Sequence, residues 1–185
     1  ELNAEWGCAV VMETKTGEVK AMSNLTRSQY ANRYVEGEQN YALTAMVEPG
    51  STFKLASLLA YLERTPNDNE KKYPLYAHTF TRKGNNKQEY KYSKNDGINR
   101  SEESGYPIEV FQRSSNVGIA SMIFDKFSIY DYQNYLQKID SLFITTSFTT
   151  QLGQINAPNI KRKANDFHTY YNTCFGTGFK MTPIQ

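Results

Sequence analysis

Behind the punctuation Glu48-Pro49-Gly50, the stretch from Ser51 to Glu63 carries Leu55, Leu58, Leu59 and Leu62. That i, i+3, i+4, i+7 spacing is one face of an α-helix, and the Pro-Gly pair predicts that the helix begins at or next to Ser51. Ala56, Ala60 and Tyr61 widen the apolar surface beyond a single stripe. The segment therefore reads as a helix buried on most sides, with its first turn in a dry environment. Whatever this chain folds into must wrap a core around that helix.

The chain can supply such a core, because 39% of its 185 residues are hydrophobic, a composition that fits one globular domain of ordinary size. Lys plus Arg is 21 and Asp plus Glu is 19, a net charge of +2, too balanced for a protein that binds nucleic acid or a membrane surface by charge. The basic residues between Lys71 and Lys94 alternate with tyrosines, but Glu70, Glu89 and Asp96 are mixed among them. They read as a solvated hairpin face, and no nucleic-acid partner is expected. No apolar run approaches the roughly 18 to 20 residues needed to cross a bilayer. The chain starts at Glu1 without a basic-then-apolar leader, so it reads as a piece of a longer protein.

Cys8 and Cys174 have neither the density of a disulfide scaffold nor a spacing with His78 or His168 that suits zinc. Both read as buried free thiols. No metal and no cofactor is expected.

Local signals place the other elements. Cys8 to Met12 and Glu18 to Met22, across a turn at Thr14 to Gly17, predict a β-hairpin. Thr79 to Arg82 and Gln88 to Tyr92 predict a second, exposed one. Pro107 opens a short helix ending near Arg113, Val117 to Phe127 marks another, and Ser128 with Asp131 caps a third through Ile139. Pro66 to Lys72 and Asn95 to Ser104 read as loops. Thr182 and Pro183 announce a helix start just before Gln185, as if the piece were also cut there.

Ser51-Thr52-Phe53-Lys54 sets a hydroxyl and an amine three residues apart at the start of the buried helix, nearly on one face. A serine needs a base to become a nucleophile, and a lysine can be that base once desolvation lowers its pKa. Backbone N–H groups at the helix start also favour an oxyanion beside Ser51. In Ser114-Ser115-Asn116, a hydroxyl and a carboxamide two residues apart can point the same way from a turn while Ser115 points elsewhere. By itself that triplet could equally cap the helix that follows.

S-x-x-K followed by S-x-N is the ordered motif set of penicillin-binding proteins and serine β-lactamases, whose third element is K-T-G. Gly7 to Met22, Val47 to Lys54, Arg113 to Gly118 and Phe175 to Gln185 together resemble the transpeptidase domain of monofunctional, class B penicillin-binding proteins. Lys15-Thr16-Gly17 spells K-T-G but precedes Ser51. It reads as a hairpin turn with Gly17 at a position needing positive φ, a decoy. No K-T-G or K-S-G follows Asn116, so the match stops before the third motif.

The resemblance implies an α/β (α+β) chain: a partial transpeptidase fold shared with serine β-lactamases, with an N-terminal hairpin, a helical lobe, and the later sheet strands missing. Residues 1–185 would then be a fragment of one transpeptidase domain. It implies that Ser51 is the acylated nucleophile and Lys54 its proton acceptor, that Ser114 relays a proton to the leaving amine, and that Asn116 orients the substrate amide and Lys54. The partners implied are a D-Ala-D-Ala stem peptide of peptidoglycan, β-lactams, and the proteins of a division or elongation complex. The parent would be anchored in the cytoplasmic membrane with its catalytic domain on the periplasmic side, and the fragment alone a poor catalyst. The alternatives are a serine β-lactamase, distinguished by rapid turnover of the acyl-enzyme, and a β-lactam sensor domain.

Overall fold

A computed structural model of the chain describes residues 3–65, 70–85, 87–97, 103–142, 146–150, 152–163 and 166–185. In chain order the elements are β1 (Trp6–Met12), β2 (Val19–Arg27), β3 (Tyr34–Glu36), α1 (Tyr41–Thr44), a 3-10 turn (Gly50–Phe53) running into α2 (Lys54–Arg64), β4 (Tyr73–Pro74), β5 (Ala77–Lys83) and β6 (Glu89–Asn95). Then follow β7 (Ser104–Gly105), α3 (Pro107–Gln112), α4 (Asn116–Phe127), α5 (Tyr132–Ser141), β8 (Phe148–Thr150), β9 (Gly153–Ile155) and α6 (Phe167–Thr173). They form two compact units. Parts of both expected loops, residues 66–69 and 98–102, lie outside the described residues.

One unit comprises residues 1–48, 146–159 and 180–185. Its sheet is antiparallel in the order β1-β2-β3, with Val10 opposite Met22 and a register shift at Val11/Met12. Glu13 and Glu18 close the first hairpin, and Gly17 in its turn has φ +72°. Lys15-Thr16-Gly17 is an exposed turn. Val47 and Met181 pair as an isolated bridge. At the chain end, the Gln185 N–H donates to the Thr182 carbonyl, while Gln185 Oε1 accepts from the Thr182 N–H. Gln185 Oε1 also accepts from the Thr182 hydroxyl at 3.1 Å, so only the half of a capping box in which Gln reaches back to the Thr N–H is made, and the Thr hydroxyl does not cap the Gln185 N–H. Cys8 is only half-buried, unlike the fully buried Cys174, and both are free.

The other unit, residues 49–145 and 160–179, is built on α2. Phe53, Ala56, Ser57, Ala60 and Tyr61 are buried, whereas Leu55 is 52% and Leu59 41% exposed. The helical period in the sequence is right, but the leucine stripe is not the packed one. Small Ala56, Ser57 and Ala60 let α4 and α5 approach closely, and that contact selects the opposite face. The Ser57 hydroxyl donates to the Cys174 carbonyl at 2.6 Å and pairs with the Tyr135 hydroxyl at 2.7 Å, so one small polar residue ties three helical segments.

Of the two caps expected for α5 only Asp131 serves: its carboxylate accepts from the Asn134 N–H at 3.0 Å, whereas Ser128 ends α4 with φ +65° and its hydroxyl accepts from the Tyr130 N–H. At the start of α4, Ser115 Oγ accepts from the Gly118 N–H at 2.7 Å. The second hairpin, β5–β6, is not the freely exposed ribbon expected. Phe80 is buried against Phe124, Phe167 and Tyr171, and Tyr92 stacks on Phe167 with centroids 4.1 Å apart. Much of this anchorage comes from α6, a helix rich in aromatic and β-branched residues, of weak intrinsic helix preference. Burial of Phe167, Tyr170 and Tyr171 outweighs that preference.

Candidate active site

The 3-10 turn is what aligns the serine and the lysine. Side chains three residues apart eclipse in that geometry, so Ser51, exposed on the turn, stands over Lys54, which is 2% exposed. Lys54 Nζ lies 3.1 Å from Ser51 Oγ. The same amine reaches across the unit to the turn between α3 and α4, donating to Ser114 Oγ at 2.9 Å and to the Ser114 carbonyl at 2.5 Å. All three directions of the ammonium are satisfied by these oxygens, which is how a buried lysine is tolerated. Burial pushes its pKa below the usual lysine value, and the charge of Asp96 pulls the other way.

Ser114 has φ +52°. A serine in the left-handed region is held there at a cost of about 1–3 kcal/mol, and such residues cluster at functional sites. The conformation turns both the hydroxyl and the carbonyl of Ser114 toward Lys54, while Ser115, buried, faces the opposite way as the cap of α4. Asn116 is the first residue of α4 and is half-buried. Its backbone N–H is bonded to Asp96 at 2.8 Å. Among the described residues its carboxamide has no hydrogen-bond partner, so no direct Asn116–Lys54 contact is made.

Two of the four motif side chains, Ser51 and Ser114, thus converge on the amine of a third, Lys54, while the Asn116 carboxamide has no partner among the described residues. Asp96, a residue that sequence reading treated as one more charge on a solvated hairpin, is instead bonded to Ser115 Oγ and to the backbone of Asn116 and Val117. Its one sequence signal was Asn95-Asp96-Gly97, turn chemistry at the end of a strand. Among the described residues no group of His, Cys, Asp and Glu side chains is arranged to hold a metal ion.

The mixed α/β framework that holds these residues is a partial transpeptidase fold. The family model described as the penicillin binding protein transpeptidase domain matches residues 7–185, and the chain belongs to that family. Two solved structures of penicillin-binding protein 2B from Streptococcus pneumoniae resemble it, each at 16% sequence identity. The match to the strain R6 protein has a TM-score of 0.67, and that to the strain 5204 protein 0.62. Both cover 97% of this chain but only 30% of the other, so the likeness is one of fold and the chain spans less than a third of those proteins. No sequence among curated proteins matches it significantly.

Proposed function

We propose that this chain carries the nucleophile and proton-handling groups of a peptidoglycan D,D-transpeptidase that β-lactams acylate. The observation that supports it best is a single buried amine within hydrogen-bond reach of both Ser51 Oγ and Ser114 Oγ. In its neutral form Lys54 takes the Ser51 proton as Oγ attacks the carbonyl carbon of the D-Ala-D-Ala peptide bond. The C–N bond breaks, and the terminal D-Ala leaves as an amine after receiving a proton through Ser114. The amino group of a second stem peptide then attacks the ester, forming the cross-link and returning a proton to Oγ. Asn116 orients the substrate amide with its carboxamide.

Residues 1–185 serve in this reading as one portion of a single transpeptidase domain. A K-T-G following S-x-N would complete the site with an oxyanion donor and a carboxylate anchor, so the 185 residues alone acylate poorly. The family's usual setting puts the parent in the cytoplasmic membrane with this domain on the periplasmic side, in a division or elongation complex. Among the described residues no helix is long and apolar enough to cross a membrane.

The test is labelled penicillin added to the full-length protein. A stable covalent adduct, located by mass spectrometry on the Ser51 peptide and absent from Ser51→Ala, supports the reading. Adduct surviving that substitution shows a different nucleophile, and rapid release of hydrolysed drug replaces transpeptidation with β-lactamase activity.

A further inference from the structure

We infer that Asp96 is a positioning residue for this site, fastening the Ser114-Ser115-Asn116 turn and setting its negative charge against Lys54. This rests on the acyl-transfer reading of Ser51, Lys54 and Ser114, and adds to it a residue from outside the motifs.

Asp96 follows β6 directly, and its own backbone is fixed by a 2.8 Å hydrogen bond from its N–H to the Tyr76 carbonyl. From that anchored point Oδ2 accepts three hydrogen bonds: from the Asn116 N–H at 2.8 Å, the Val117 N–H at 3.2 Å and Ser115 Oγ at 3.2 Å. The first N–H groups of a helix have no partner within it, and an anion there also meets the positive end of the helix dipole. Ser115 already satisfies the Gly118 N–H, so Asp96 takes the donors that Ser115 leaves. The Tyr76 side chain ties the other flank, its hydroxyl accepting from Arg113 at 2.6 Å.

Ser114 therefore sits between two fastened neighbours, Arg113 on one side and Ser115-Asn116-Val117 on the other, both held from Tyr76 and Asp96. That is the constraint a serine at φ +52° requires in order to keep its hydroxyl and carbonyl on Lys54. The carboxylate also acts through space, because its charge favours the ammonium form of Lys54 against the effect of burial. Tyr171 is pushed up first by burial and then by the same charge, so it stays neutral at working pH and adds no charge of its own beside Lys54.

The experiment uses the full-length protein and β-lactam acylation, separating the binding constant of the encounter complex from the acylation rate constant of the labelled fraction. Asp96→Ala is expected to lower the acylation rate constant about 10- to 100-fold with little change in binding, the cost of a small misplacement of reacting groups. Asp96→Asn, which keeps an oxygen acceptor for the α4 N–H groups, is expected to restore most of that rate. It is also expected to move the rising limb of the pH–rate profile to lower pH, since loss of the carboxylate charge lets Lys54 deprotonate earlier. A merely structural role would reduce the folded, labelled fraction and leave rate constant and limb in place. Wild-type rate in folded Asp96→Ala overturns the inference. If that variant does not fold, an unmoved limb in Asp96→Asn overturns it. Ser51→Ala, run alongside, keeps the two ideas apart: adduct there sinks the acyl-transfer reading, whereas its loss together with an indifferent Asp96 sinks only this one.

Discussion

The Gly50 N–H donates to the Gly176 carbonyl at 3.0 Å, which fixes the backbone of the Phe175-Gly176-Thr177 segment directly against the turn that carries Ser51. Gly176 has φ +83°, and a Cβ built on it would lie 2.2 Å from the Gly50 carbonyl oxygen and 2.7 Å from Phe53 Cβ. Only glycine permits that approach, because the obstructing atoms are backbone or the root of a buried side chain.

Gly176→Ala is accordingly expected to destabilise the protein by at least about 1–3 kcal/mol, the cost of the backbone conformation alone, and to slow acylation by displacing the Ser51 turn. Thermal denaturation of the full-length variant checks the first effect. Penicillin acylation of the fraction still folded checks the second.

Lys54→Arg preserves a positive charge but removes the base, because a guanidinium does not deprotonate in a protein. Acylation is expected to fall by about 10²- to 10⁴-fold. Burial lowers the Lys54 pKa, so in the wild-type protein the neutral amine accumulates, and the rate rises, as pH climbs toward that lowered value. The residual rate in Lys54→Arg should lack this rise. A parallel rise in both proteins would assign the titration to another group.

Asp125 contributes an acid-sensitive part of the stability. Burial works to raise its pKa, but hydrogen bonds from Lys71, Lys126 and Tyr73 outweigh burial and leave the carboxyl below its usual value. Tyr73 gives its only proton to Asp125 at 2.9 Å, so in the 3.2 Å pair of Tyr61 and Tyr73 hydroxyls it is Tyr61 that donates. A carboxyl depressed on folding stabilises the protein above its unfolded pKa, about 3.9, and that stabilisation is lost as pH falls through the lower folded value. Asp125→Asn should therefore cost on the order of 1 kcal/mol at neutral pH and shrink toward zero difference in acid. Urea denaturation at a series of pH values measures both, and a gap that stays constant into acid would refute it.

Lys15→Ala should leave acylation unchanged. Lys15 is exposed in the turn of the first hairpin, where the Thr16 hydroxyl is taken up locally by Glu13 at 2.7 Å. A loss of acylation in this variant, with the melting temperature unchanged, would show that Lys15-Thr16-Gly17 is no decoy.

What the sequence alone determined here is local. The start of a helix next to Ser51, the alignment of Ser51 with Lys54, the caps at Ser115 and Asp131 and the turn at Gly17 all rest on interactions between residues within about four positions of each other. The residue types themselves carry that information. The resemblance to a penicillin-binding transpeptidase came from four such short segments in order.

Tertiary structure decided everything that needed a partner distant in the chain. Residues 51 to 63 hold two apolar stripes of the same period, and which one is buried depended on the close packing of Ala56, Ser57 and Ala60 against α4 and α5 rather than on the larger hydrophobicity of the leucines. The helix α6 forms where local preference is weak, because Phe167, Tyr170 and Tyr171 are buried among the rings of Phe80, Phe124 and Tyr135. The Ser114 hydroxyl reaches Lys54 across 60 positions, and the Asp96 carboxylate reaches the Asn116 N–H across 20. Neither pairing leaves a periodic trace in sequence, since a single hydrogen bond between distant segments is specified by the path of the whole backbone between them.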